Sequence, residues 1–159
     1  MPTTSEMLTD WYQRVSVTQR AHYISADQFS YKKFLLGIPA LGLSAFVGST
    51  VFATLQKQPC LPLQICIGFA SVAAGLLTGL QTFMNYSERA EKHRVAGAKY
   101  GALGRELEQL RSSGVEPSTE VLEKVRKTLD SLALESPNNP IPIYIKAGGE
   151  DLLPKKVTL

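Results

Sequence analysis

The chain has 159 residues, two histidines, two cysteines and a net charge of +3, and its mean hydropathy is near zero. That length suits one domain and leaves neither flank long enough for a separate enzyme. The sequence offers no paired nucleophile and base, phosphate loop or metal-ligand spacing, so no catalysis, cofactor or metal is expected.

The neutral average conceals two uncharged apolar stretches between polar arms. The N-terminal arm opens with Thr3 and Glu6 at capping-box spacing. Leu8, Trp11, Val15, Thr18, His22, Ala26 and Phe29 then recur at three- and four-residue steps, which predicts an amphipathic helix over 3–31. Glu6, Asp10 and Asp27 precede the first apolar run and no basic segment opens the chain, so this arm does not read as a secretory signal.

The apolar runs, Phe34 to Leu55 and Leu61 to Tyr86, each exceed the roughly 20 residues that a helix needs to cross a hydrocarbon core of about 30 Å. They carry Gly37, Gly42, Gly48, Gly68, Gly75 and Gly79, which weaken helices in water and are common in membrane spans. The reading is a membrane hairpin with spans at 34–55 and 61–86. Arg14, Arg20, Lys32 and Lys33 precede it and Arg89, Lys92, Arg94, Lys99 and Arg105 follow it, whereas the link holds only Lys57. Basic residues collect on the cytoplasmic side, so both termini are expected there and Lys57 at the external mouth. Attraction to anionic lipid accounts for the collars without nucleic acid.

Beyond the second span the apolar recurrence continues through Ala96, Tyr100, Leu103, Leu107 and Leu110, which predicts one helix from Leu63 to about Arg111, roughly 70 Å long. Its cytoplasmic seam is expected to bind the N-terminal helix, neighbouring subunits, or both. Ser112, Ser113, Gly114 and Pro117 end it, and 118–134 reads as a further helix. Pro137, Pro140 and Pro142 then predict an extended strap over 137–147, followed by a flexible tail over 148–159. The expected fold is an all-α membrane protein of one domain, 1–147.

Along the second span Gln64, Gly68, Ser71, Gly75, Thr78, Thr82, Asn85 and Arg89 alternate by four and three, and none is a large apolar residue. Two explanations stand. Small residues permit close helix contact, with Gly75 and Gly79 facing Ala40, Ser44 and Gly48. Alternatively Gln64, Ser71, Thr78, Gln81, Thr82 and Asn85 line water, with Glu88 and Arg89 at the cytoplasmic mouth. Packing is favoured for the glycines and pore lining for Thr78, Gln81, Thr82 and Asn85. A single hairpin encloses no lumen, so a pore requires a homo-oligomer. Gly97, Gly101 and Gly104 interrupt the extension, as packing positions or as a candidate hinge. Both histidines are expected to pack or hydrogen-bond, and Cys60 and Cys66 to be free thiols.

The strings Gly37-Ile38-Pro39-Ala40, Ser44-Ala45, Gly48-Ser49-Thr50-Val51-Phe52-Ala53, Leu80-Gln81-Thr82-Phe83, Ser87-Glu88-Arg89-Ala90-Glu91-Lys92-His93-Arg94, Ala96-Gly97-Ala98-Lys99-Tyr100-Gly101 and Arg105-Glu106-Leu107-Glu108 resemble the SLATT family of small two-transmembrane proteins. The resemblance runs from about Leu8 to Ala147. It implies a pore-forming effector of a bacterial conflict or antiviral system, partnered by a nucleotide-sensing or nucleotide-synthesising defence protein. A non-conducting membrane scaffold that recruits partners through its cytoplasmic helices is the alternative.

Overall fold

The computed structural model describes residues 3–54 and 60–153, and these contain helices and no strand. Five α-helices follow in order: α1 (Thr4–Thr54), α2 (Leu61–Met84), α3 (Tyr86–Ser112), α4 (Thr119–Glu135) and α5 (Ile141–Lys146), with a 3₁₀ turn at Glu150–Leu152. They form two compact units: Gln28–Arg89, the hairpin, and Met1–Asp27 with Ala90–Leu159, a helical unit. Lys57 lies outside the described residues.

The expected division of the N-terminal half into a helix and a separate span is corrected: α1 runs unbroken through both. Tyr31, Lys32 and Lys33 change the polarity of the chain there but contain no residue that disfavours helical backbone. At its start the amide of Thr3 donates to Glu6 Oε2 at 2.8 Å and the amide of Glu6 to Thr3 Oγ1 at 3.2 Å, a reciprocal cap.

The single long helix expected over 63–111 is also corrected. Asn85 adopts left-handed backbone (φ 46°, ψ 42°) between α2 and α3. Its amide closes α2 on Gln81 at 3.3 Å, and its carbonyl accepts from Arg89 at 3.2 Å to open α3. Asparagine is among the few residues with a side chain that hold this conformation readily, and Asn85 Nδ2 donates to Glu88 in the first turn of α3.

In the helical unit, the initial part of α1 packs against α3 and α4. Leu8 and Val15 meet Tyr100, Leu103 and Leu107 of α3 and Val125 and Leu132 of α4, with Trp11, Tyr12 and Leu129 at the margin. Each such side chain contributes roughly 1.5–3 kcal/mol by leaving water. The seam expected to serve neighbouring subunits is therefore covered by its own chain: Leu103 is 3% exposed and Leu107 0%. Gly97, Gly101 and Gly104 are buried within unbroken α3. A Cβ at Gly97 would stand 3.3 Å from the Tyr23 ring, and one at Gly101 2.7 Å from Gln19 Nε2. These glycines permit close approach of α1 and α3, which accounts for them without a hinge.

The tail also departs from expectation. Residues 141–146 form α5 instead of an extended strap, because proline fits the first turn of a helix, where its missing N–H leaves no bond unmade. Ile143 and Ala147 pack on Val17 and Ala21, a second face of α1, with Tyr144 and Leu152 beside them. Ser25 Oγ donates to Asn139 Oδ1 at 2.8 Å and ties the preceding loop to α1. Of the expected flexible tail, 148–159, residues 154–159 lie outside the described residues; within 148–153 Gly149 is buried, where a Cβ would collide with the Tyr144 ring and stand 2.8 Å from Val17 Cγ1. Gly149→Ala is expected to cost about 1–3 kcal/mol by overpacking, read as a lower melting temperature.

Candidate functional site

In the hairpin, α1 and α2 cover one another along a narrow row. Ala40 of α1 and Ala74 of α2 are buried, at 5% and 7% exposed, with Leu36, Gly37, Leu43 and Val47 on α1 and Leu63, Ile67, Leu77 and Gln81 on α2 partly buried. The amide of Gln81 lies against Gly37, where a Cβ would be 3.2 Å from Nε2. Gln81, expected to line water, is thus drawn into the intrachain contact.

The small-and-polar face falls elsewhere. Gln64, Gly68, Ser71, Gly75, Thr78, Thr82 and Asn85 are all exposed. Ser44 is exposed too, and Gly48, Gly75 and Gly79 have open space where a Cβ would be. Of the residues expected at a helix contact, only Ala40 makes it within the chain. The hydroxyls of Thr78 and Thr82 donate to the carbonyls of Ala74 and Thr78 at 2.8 and 3.0 Å, leaving their oxygens able to accept. Glu88 and Arg89, assigned to the mouth, are exposed at the start of α3.

Large apolar side chains occupy much of the remaining surface: Phe83 is 83% exposed, Phe52 77% and Phe69 74%. A water-soluble monomer rarely displays such a contiguous surface. Two helices in the described residues are long and apolar enough to cross a membrane.

The helical unit holds a second polar constellation that spacing alone did not join. His22 of α1 and His93 of α3 face one another through their Nδ1 atoms at 3.0 Å, buried to 1% and 4% exposure. The His22 ring also stacks on Tyr100 at 5.5 Å. One Nδ1 must carry a proton and the other accept it, which fixes complementary tautomers when both rings are neutral. Burial, then the neighbouring His93, lowers the His22 pKa from 6.5 to about 4, and burial lowers that of His93. A signal was available: His93 stands three residues before Ala96 and seven before Tyr100, on the same seam. Cys60 and Cys66 are free and exposed.

Comparisons with protein-family models, curated proteins and solved structures find no match to this chain. The SLATT resemblance accordingly rests on the residues that carry it.

Proposed function

We propose that the chain is a two-pass protein of the bacterial inner membrane, both termini cytoplasmic, that assembles with copies of itself into an ion-conducting pore. In this reading it is an effector of a conflict system, gated through its cytoplasmic helices, as the SLATT resemblance implies. The observation that carries the proposal is the exposed face of α2. Its own α1 covers the row through Ala74, leaving Ser71, Gly75, Thr78 and Thr82 for other copies or for water.

With Leu103 and Leu107 occupied inside the chain, contacts between copies pass to the hairpin. Ser44, Gly48, Gly75 and Gly79 offer small surfaces at which helix backbones approach closely. Thr78 and Asn85 then face the lumen, and Glu88 at the cytoplasmic mouth favours cations. Leucine separates the two roles. Gly75→Leu is expected to lower the oligomer's mass in mild detergent, whereas Thr78→Leu with Thr82→Leu spares the mass and lowers current severalfold through an apolar constriction. Unchanged current in the double variant contradicts lining by this face.

One observation favours the alternative, a non-conducting anchor whose helices recruit a nucleotide-sensing or nucleotide-synthesising partner. The hydroxyl protons of Thr78 and Thr82 are already satisfied by the helix, so these residues tolerate lipid without water. Such an anchor gives no current with or without the leucines.

A further inference from the structure

At the end of the hairpin where α1 enters its apolar run and α3 begins, basic and aromatic side chains from both helical arms converge. Lys33 Nζ donates to Ser87 Oγ at 3.3 Å. The Phe29 and Tyr86 rings stack at 6.0 Å. The Lys32 ammonium stands 5.6 Å from the Phe29 centroid and 6.0 Å from that of Tyr86. These contacts hold both lysines at the same level as Ser87.

Their charge is left uncompensated. Arg14, Arg94, Lys99 and Arg126 each hold a carboxylate within 3.2 Å. Among the described residues Lys32 and Lys33 have no carboxylate at ion-pair distance. Glu88, next to Ser87 in the chain, accepts from Asn85 Nδ2. Ser87 accepts from Lys33 and keeps its own proton to donate, so two cations and one hydroxyl suit an anion with several oxygens.

We propose that Lys32, Lys33 and Ser87 form a binding site for the phosphate of an anionic phospholipid. The site rests on the membrane reading of the hairpin. Exposed Phe34, Leu35, Ile38 and Phe83 continue from it along the apolar surface, where acyl chains lie when the phosphate sits among the cations. A free phosphate gains nothing from that surface, and this favours the lipid. The lysines supply the charge, Ser87 orients one phosphate oxygen, and the aromatic rings keep the ammonium groups at headgroup depth.

The test reconstitutes the full chain into nanodiscs of phosphatidylcholine containing a minor fraction of phosphatidylglycerol, and measures the lipid retained by native mass spectrometry. Selective retention of phosphatidylglycerol is expected. Lys32→Gln with Lys33→Gln should weaken it about twenty-five-fold, at about fivefold per charge removed. Lys124→Gln with Lys127→Gln, which keeps the net charge equal, should leave it intact. Equal retention of the two lipids by wild type, or equal loss in both double variants, overturns the site while insertion stands. Displacement of the lipid by millimolar inorganic phosphate overturns the lipid assignment in favour of a free anion. A chain that does not enter nanodiscs of either composition overturns the membrane reading itself.

Discussion

Leu107→Asp is expected to abolish the cooperative melting of the helical unit. Leu107 is 0% exposed in a core with Leu8, Val15, Leu103 and Val125. A carboxylate there either remains charged without a partner or takes up a proton, and either route costs several kcal/mol. Domains of this size have only about 5–15 kcal/mol in total, so the substitution removes most of the margin. Leu107→Ala, which leaves a cavity, should cost about 2–5 kcal/mol. Leu134→Asp is the contrast, because Leu134 is 87% exposed and a surface change of this kind stays within about 0.5 kcal/mol. Circular dichroism melts of the three variants decide the matter. If Leu107→Asp instead melts like wild type and only lowers oligomer mass, the row serves assembly after all.

Acidification is expected to loosen the same unit through His22 and His93. The folded-state pKa of His22 lies at about 4 against 6.5 for an unperturbed histidine, so its contribution to stability is fully present above about 6.5. As pH falls from there towards 4, the unfolded chain takes up a proton that the folded unit refuses, and stability declines. Below about 4 both states are protonated and the loss stops growing. A fall from 6.5 to about 4 corresponds to about 3 kcal/mol for His22.

The pair titrates as a unit. The first proton is compatible with the Nδ1 contact, since an imidazolium on one side still donates to a neutral ring on the other. The second proton places two donors and two charges 3.0 Å apart and breaks it. Burial raises the pKa of Tyr100, the other titratable ring against His22, so it stays neutral throughout. Glu123 and Glu135 have carboxyl pKa values lowered by Arg126 and Lys99, so their contributions fade below the ordinary carboxylate range, outside most of the histidine window. His22→Gln should flatten the stability profile between pH 6.5 and 4. An unchanged slope contradicts the assignment.

The hairpin was legible because an uncharged run of this length has few other uses, and the N-terminal cap because Thr3 and Glu6 stand at the spacing their bonds require. The unbroken passage of α1 through Lys32 and Lys33 was not, since polarity marks solvent and says little about backbone. Asn85 interrupts a periodicity that continues on both sides, and its left-handed conformation leaves no trace in spacing. Pro140 and Pro142 signalled an end to helix but equally permit a start. On the candidate site, the alternation in α2 marks a row that is exposed within the chain, yet the side buried in the hairpin, with Ala40 and Ala74, is decided by packing in three dimensions. Gln81 was placed with the polar residues by type, whereas its position one step round the helix brings it to Gly37.

Current through a planar bilayer carrying the purified, oligomeric wild-type protein tests the central claim most directly. Stepwise conductance that Thr78→Leu with Thr82→Leu diminishes is the predicted result. A silent bilayer, with the oligomer shown to be inserted, would contradict the pore and leave the chain an anchor.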